Sequence, residues 1–103
     1  MTAEVYRYRF APGLSLEEIE QTLHLALLVV ECLHGQAQVR LDASYLMDPE
    51  TRSCVIDAGT DVGRDLVRIF TGLVSQEFGE ESLQIKRINS APAAKTNYQG
   101  ACP

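Results

Sequence analysis

Apolar and polar residues alternate along residues 5–10, so one side of this segment is aromatic and the other is basic. The aromatic side carries Tyr6, Tyr8 and Phe10, and the basic side carries Arg7 and Arg9. A period of two predicts a half-buried β-strand. The same alternation over 36–45 and 53–59, with a Pro-containing turn at 48–51, predicts a long β-hairpin. Alternation over residues 82–88 predicts a last short strand.

Two further segments have the period of an α-helix. The first covers residues 16–34 and follows Ser15, whose spacing from Glu18 is typical of a capping box. The second follows a cap at Thr60 or Asp61 and ends before a glycine, the residue that most often terminates a helix. The sequence therefore predicts two capped helices among four strands.

The resulting element order is β-α-β-β-α-β. With right-handed crossovers, this order predicts a ferredoxin-like two-layer α+β sandwich, with a four-stranded antiparallel sheet and two helices on one face. We expect a single domain over residues 1–88. Residues 89–103 have no periodicity and almost no large apolar side chains, so they are expected to form a flexible tail. This architecture supports many unrelated functions and constrains function weakly.

The first predicted helix is apolar on two sides over its last turns. The side expected to pack on the sheet carries Leu16, Ile19, Leu23, Ala26, Leu27, Val30 and Leu33. A second stripe, at i, i+3, i+4 and i+7 on nearly the opposite side, consists of Leu25, Leu28, Val29 and Cys32. Exposed, such a stripe would be a patch of the kind that marks an interaction surface.

The second predicted helix has a wide apolar arc, with Val67 and Val74 expected at its edges. We therefore expect a homo-oligomer, most simply a dimer. Its predicted interface consists of Leu25, Leu28, Val29, Cys32, Val67 and Val74. Two alternatives remain open for the stripe: cover from within the chain, by the tail or the neighbouring helix, and contact with a hydrophobic ligand or a different protein.

The opposite face of the predicted sheet is polar. Its candidate ligand-binding residues are Arg7, Arg9, Arg40, Asp42, Asp57 and Lys86. The simplest interpretation is a solvated face with cross-strand charge pairs such as Arg40 with Asp57. An anionic ligand or RNA is the alternative. Base stacking on this face is not favoured, because the aromatic residues of the first strand are expected to face the helices.

Composition narrows the functional classes. The 103 residues carry a formal net charge of −5, which argues against nucleic-acid binding through overall charge. No apolar run is long enough to span a membrane, and no leader pattern is visible, so we expect a cytoplasmic protein. The three cysteines have no metal-type spacing and are expected to be reduced thiols.

The first hypothesis for the function is that the chain is a small, non-catalytic, self-associating module with an interaction, regulatory or assembly role. A binding domain that uses the polar sheet face is the second hypothesis. The third is a metal-dependent enzyme in which Asp42 and Asp57, expected on paired strands, hold a divalent ion. No third ligand or general base is evident for such a site. We therefore expect no catalytic, cofactor-binding or metal-binding residues.

Overall fold

The computed structural model of the chain describes residues 3–90. Its elements are β1 (Ala3–Phe10), α1 (Leu16–His34), α2 (Gln36–Asp42), β2 (Tyr45–Asp48), β3 (Ser53–Asp57), α3 (Asp61–Phe78) and β4 (Leu83–Ser90). A single 3-10 turn, Glu80–Ser82, joins α3 to β4. No helix in this part of the chain is both long and apolar enough to cross a membrane.

The four strands form one antiparallel sheet in the order β2-β3-β1-β4. β1 and β3 are therefore the central strands, and β2 and β4 are the edges. Together with three helices, this gives a mixed α+β fold that is consistent with a two-layer sandwich. The predicted α+β class and four-stranded antiparallel sheet are therefore confirmed. The structure has one helix more than the two expected.

The core lies between the sheet and the helices. Alternation along β1 and β3 turns Tyr8, Phe10, Cys54 and Ile56 to this side. These residues pack with Ile19, Leu23, Ala26 and Val30 of α1 and with Leu66, Phe70 and Val74 of α3. The ring of Tyr8 meets that of Phe70 edge to face, with centroids 5.1 Å apart. The inward side chains of the strands and the apolar sides of α1 and α3 therefore pack together in a single core.

The predicted ends of the two long helices are confirmed. Ser15 Oγ accepts a hydrogen bond from the Glu18 amide at 3.3 Å, and Thr60 Oγ1 accepts one from the Gly63 amide at 3.0 Å. Gly35, directly after α1, has a φ of 89°, a value that residues with a side chain rarely adopt. Local sequence therefore determines where α1 and α3 begin and where α1 ends.

The prediction of a strand over 36–45 is wrong. Residues Gln36–Asp42 form α2, and β2 is only the four residues Tyr45–Asp48, so the hairpin is much shorter than expected. Gln, Ala, Arg and Leu favour helix over strand. The side-chain amide of Gln38 also donates to the Asp42 carboxylate at 2.5 Å, an i, i+4 contact typical of a helix.

The last strand is longer than predicted. β4 continues to Ser90 and pairs with β1 up to Ala3, so the folded unit passes the expected boundary at residue 88. The remainder of the predicted flexible tail, residues 91–103 with Cys102, lies outside the described residues.

Candidate functional site

The largest group of exposed apolar side chains lies on α1. We define the α1 outer face as Leu25, Leu28, Val29, Cys32 and Leu33. The exposed fractions of its four aliphatic side chains are 49%, 58%, 38% and 64% in sequence order, and Cys32 is exposed as well. Four large aliphatic side chains within three turns of one helix form a contiguous patch.

Contacts of α1 on its other sides explain why this face is left uncovered. One side packs on the core through Ile19 and Val30. Along another side runs α3 in the opposite direction: Thr22 Oγ1 donates to the Glu77 carboxylate at 2.7 Å near the start of α1, and His34 Nε2 lies 2.8 Å from Asp65 Oδ2 near its end. No other element among residues 3–90 covers the α1 outer face.

Two predicted placements on the helices are wrong, those of Val74 and Leu33. Val74 is fully buried in the core, because the helical side that carries it faces the sheet. Val67 is half-buried beside the core, as expected for the edge of the apolar arc, and its place in an interface stays a prediction. Leu33, expected to face the sheet, is mostly exposed because it lies in the last turn of α1.

The second candidate surface is the side of the sheet that the helices leave free, which we call the open sheet face. Strand register arranges its side chains in rows that cross the strands. One row reads Leu46, Val55, Arg7, Lys86, and the next reads Asp48, Ser53, Arg9, Gln84. Val5 lies in the following row beside Asp57. The first of these rows is therefore apolar toward β2 and cationic toward β4.

Arg7, Arg9 and Lys86 are exposed on this face, as predicted for them. Among residues 4–88, whose side chains the structure describes, none of these three cations has a carboxylate within ion-pair distance. By contrast, Arg68 and Arg87 elsewhere on the surface have carboxylates at 3.9 and 3.7 Å. Two shallow depressions, of about 330 and 550 Å³, share Arg7 and Arg9 as lining residues and flank β1 on either side.

Arg40 and Asp42 do not belong to the open sheet face, because both lie on α2. The predicted cross-strand pair of Arg40 with Asp57 is therefore wrong. The predicted pairing of Asp42 and Asp57 on adjacent strands is also wrong. Each carboxylate has a local partner instead: Asp42 accepts from Gln38, and Asp57 Oδ1 accepts from the Gly59 amide at 2.8 Å. Within the described residues, no group of three or more His, Cys, Asp or Glu side chains could hold a metal ion.

Among residues 4–88, the two groups whose pKa is clearly shifted lie inside the core. Burial raises the pKa of Tyr8 to about 12, opposed by a hydrogen bond with Thr71 at 2.7 Å, and burial raises the pKa of the Cys54 thiol to about 12. Both groups are fully buried on the helix side of the sheet. Neither is placed to act as an acid, base or nucleophile at a surface, so they contribute to the stability of the core.

Comparison with known protein families, with characterised proteins and with solved structures finds no match to this chain. Function is therefore inferred from the α1 outer face and the open sheet face.

Sequence reasoning missed several residues of these two surfaces. Alternation predicts the strand before the turn at 36–45, which is too early in the chain, so the sequence does not assign Leu46 and Asp48 to the open sheet face. Once β2 is located at 45–48, alternation alone assigns both residues. The contact of His34 with Asp65 was missed as well, since it joins helices whose relative direction no local pattern reveals.

Proposed function

We propose that this chain is a self-associating module that forms a symmetric dimer through the α1 outer face. The observation that carries the proposal is the exposure of Leu25, Leu28, Val29 and Leu33 on one side of one helix. A two-fold axis brings the same patch of both subunits together, so a single self-complementary stripe is sufficient. Antiparallel pairing about an axis near Leu28 and Val29 would place Leu25 of each subunit opposite Cys32 of the other.

Energetics supports a reversible dimer. Complete burial of a Leu or Val side chain contributes about 1.5–3 kcal/mol, and these four side chains are roughly half exposed, so each would contribute about 1 kcal/mol. Two faces then supply about 8 kcal/mol, against an association cost of about 4–15 kcal/mol. At the low end of that cost the net free energy is about −4 kcal/mol, which corresponds to a dissociation constant of about 1 mM, so a dimer held by this face alone is weak and reversible.

The test is solution mass over a wide concentration range, measured by sedimentation equilibrium on wild type, Leu28→Glu and Leu46→Glu. Leu46 is 68% exposed on the opposite side of the molecule, so Leu46→Glu is a matched control for adding a charge at an exposed leucine. We expect wild type and Leu46→Glu to dimerise and Leu28→Glu to remain a folded monomer. A wild type that stays monomeric at millimolar concentration contradicts the proposal, and dissociation by Leu46→Glu alone would assign the contact to the sheet.

We also propose that the fold is ferredoxin-like. The strand order β2-β3-β1-β4, with both central strands antiparallel to their neighbours, supports this classification. In this arrangement α2 is an addition between α1 and the first hairpin strand. An experimental structure tests the proposal through the handedness of the two helical crossovers, which should both be right-handed.

A cytoplasmic location is a further part of the proposal. It is supported by Cys32 and Cys54, which are free thiols, one exposed and one buried. An exposed free thiol is typical of proteins in a reducing compartment. Fractionation of cells that produce the tagged chain, followed by thiol labelling without prior reduction, should find it in the cytoplasmic fraction with Cys32 labelled.

A further inference from the structure

The open sheet face carries a cationic cluster that consists of Arg7, Arg9 and Lys86. Arg7 and Lys86 are register partners on β1 and β4, and Arg9 lies two residues from Arg7 on the same side of β1. No carboxylate among residues 4–88 lies within ion-pair distance of any of the three. Like charges on neighbouring strands repel, so the cluster favours a bound anion. Arginine also offers two parallel N–H donors that match the two oxygens of a carboxylate.

Apolar side chains adjoin this cluster toward β2 and, through the half-buried Val5 and Ile88, in the next row along β1 and β4. In the row Leu46, Val55, Arg7, Lys86, the two residues toward β2 are aliphatic and the two toward β4 are cationic. Leu46 is 68% exposed and Val55 is half-buried. The row crosses four strands spaced about 4.8 Å apart, so it is about 14 Å long. Its pattern is complementary to a molecule with an anionic head and a short apolar body.

Carboxylates on the same face limit how much negative charge a ligand can carry. Asp48 lines the depression on the β2 side of Arg9, and Asp57 lies beside Val5. Both are held in turns by backbone amides, Asp48 Oδ1 by that of Glu50 at 3.0 Å and Asp57 Oδ1 by that of Gly59 at 2.8 Å. Because these charges stay in place, a single carboxylate near Arg7 and Lys86 is favoured over a polyanion.

RNA fits the face less well. Single-stranded RNA is normally held by stacking of bases on exposed aromatic rings. The aromatic residues of β1 are Tyr6, Tyr8 and Phe10, and all three are on the helix side of the sheet. A net charge of −5 also repels a polyanion at long range.

We propose that the open sheet face binds a small amphipathic carboxylate, of the size of a medium-chain fatty acid. The carboxylate lies between Arg7 and Lys86, with Arg9 as a further donor, and the apolar body lies across Val55 and Leu46. This site is on the opposite side of the sheet from the helices. It is therefore independent of the proposed dimer, and either proposal can fail without the other.

The probe is octanoate, added to the full-length chain at low salt and followed by backbone amide chemical shifts. Acetate supplies the head group alone, octanamide supplies a comparable body without charge, and a short oligouridylate tests RNA. We expect octanoate to shift amides of β1, β3 and β4, and the other three compounds to bind at least about tenfold more weakly, because each lacks one of the two recognised parts.

Variants assign the contact to the proposed residues. Arg7→Gln and Lys86→Gln should each weaken octanoate binding by about tenfold through loss of a charge-assisted hydrogen bond. Leu46→Asn should weaken octanoate binding without changing that of acetate. Arg68→Gln is the matched control, because it removes an exposed cation on α3 and should leave binding unchanged.

Several outcomes overturn the proposal. Octanoate binding that is unchanged in Arg7→Gln and Lys86→Gln removes the cationic cluster from the site. Loss of binding in Leu28→Glu places the ligand on the α1 outer face instead. Equal affinity for acetate shows a simple anion site without apolar recognition, and tighter binding of oligouridylate than of octanoate assigns the face to RNA. No amide shifts at 10 mM octanoate also contradicts the proposal.

Discussion

At the scale of single residues, Tyr8 links stability to pH. Its pKa is raised from 10.0 to about 12, chiefly by burial, so the folded chain holds the phenol proton more tightly than the unfolded chain does. The associated stability is therefore complete below pH 10 and is lost as the pH rises from 10 to 12. The loss from this one group is at most about 3 kcal/mol.

Urea unfolding at pH 8, 10 and 11 measures this effect in wild type and in Tyr8→Phe. We expect wild type to lose stability from about pH 9 upward, and Tyr8→Phe to lose less than wild type above pH 10. The variant should start from a lower value, because it lacks the hydrogen bond with Thr71. It should retain some pH dependence, since the pKa of Cys54 is raised from 9.0 to about 12 and acts in the same direction. Identical pH dependence in both proteins would show that Tyr8 is not the group responsible.

We predict opposite effects on stability for the same substitution at two glycines of α3. A Cβ at Gly63 would lie 2.0 Å from the backbone oxygen of Asp57, whereas a Cβ at Gly72 would meet no atom within 4 Å. Gly63→Ala should therefore force α3 away from the end of β3 and cost about 3 kcal/mol. Gly72→Ala should stabilise by about 1 kcal/mol through helix propensity. Chemical denaturation of both variants measures the difference, and equal effects would contradict this packing of α3.

At the scale of elements, the sequence predicts those that combine a clear period with defined ends. α1 and α3 meet both conditions, since each has a long apolar period and a side-chain cap at Ser15 or Thr60. α2 meets neither. Seven residues with apolar positions at every second place fit a strand as well as a short helix with one buried residue, and α2 has no side-chain cap. The propensities of Gln, Ala and Arg were the signal that favoured a helix.

This ambiguity has a direct test in two neighbouring apolar residues. In a strand, Val39 and Leu41 would share one face and be buried together. In α2, Val39 is buried and Leu41 is 79% exposed. Val39→Ala should therefore cost about 1–2 kcal/mol, and Leu41→Ala should change stability by less than about 0.5 kcal/mol. Thermal unfolding of the two variants measures both effects, and similar losses for both would restore the interpretation as a strand.

At the scale of the whole molecule, the sequence predicts the faces of each element better than their arrangement. The helical period separated the α1 outer face from the buried side, and alternation turned Arg7 and Arg9 away from the core. Neither pattern shows that Val74, at the edge of the apolar side of α3, is fully buried, or that the end of α1 leaves Leu33 uncovered. Those facts depend on how the elements cross, which is settled by packing of the entire chain.

The proposed dimer predicts how the melting temperature depends on protein concentration. If two subunits unfold together, the melting temperature of wild type should rise with concentration, by up to about 4 °C for each tenfold increase once the dimer predominates. Leu28→Glu should have a melting temperature that is independent of concentration. It should match dilute wild type, because Leu28 is 58% exposed in the single chain and its replacement removes no core contact. Scanning calorimetry from about 0.1 to 10 mM, a range that spans the expected dissociation constant, makes the comparison. A melting temperature of wild type that is constant over this range would show that the α1 outer face does not pair, whereas a low melting temperature of Leu28→Glu at every concentration would show that Leu28 stabilises the subunit itself.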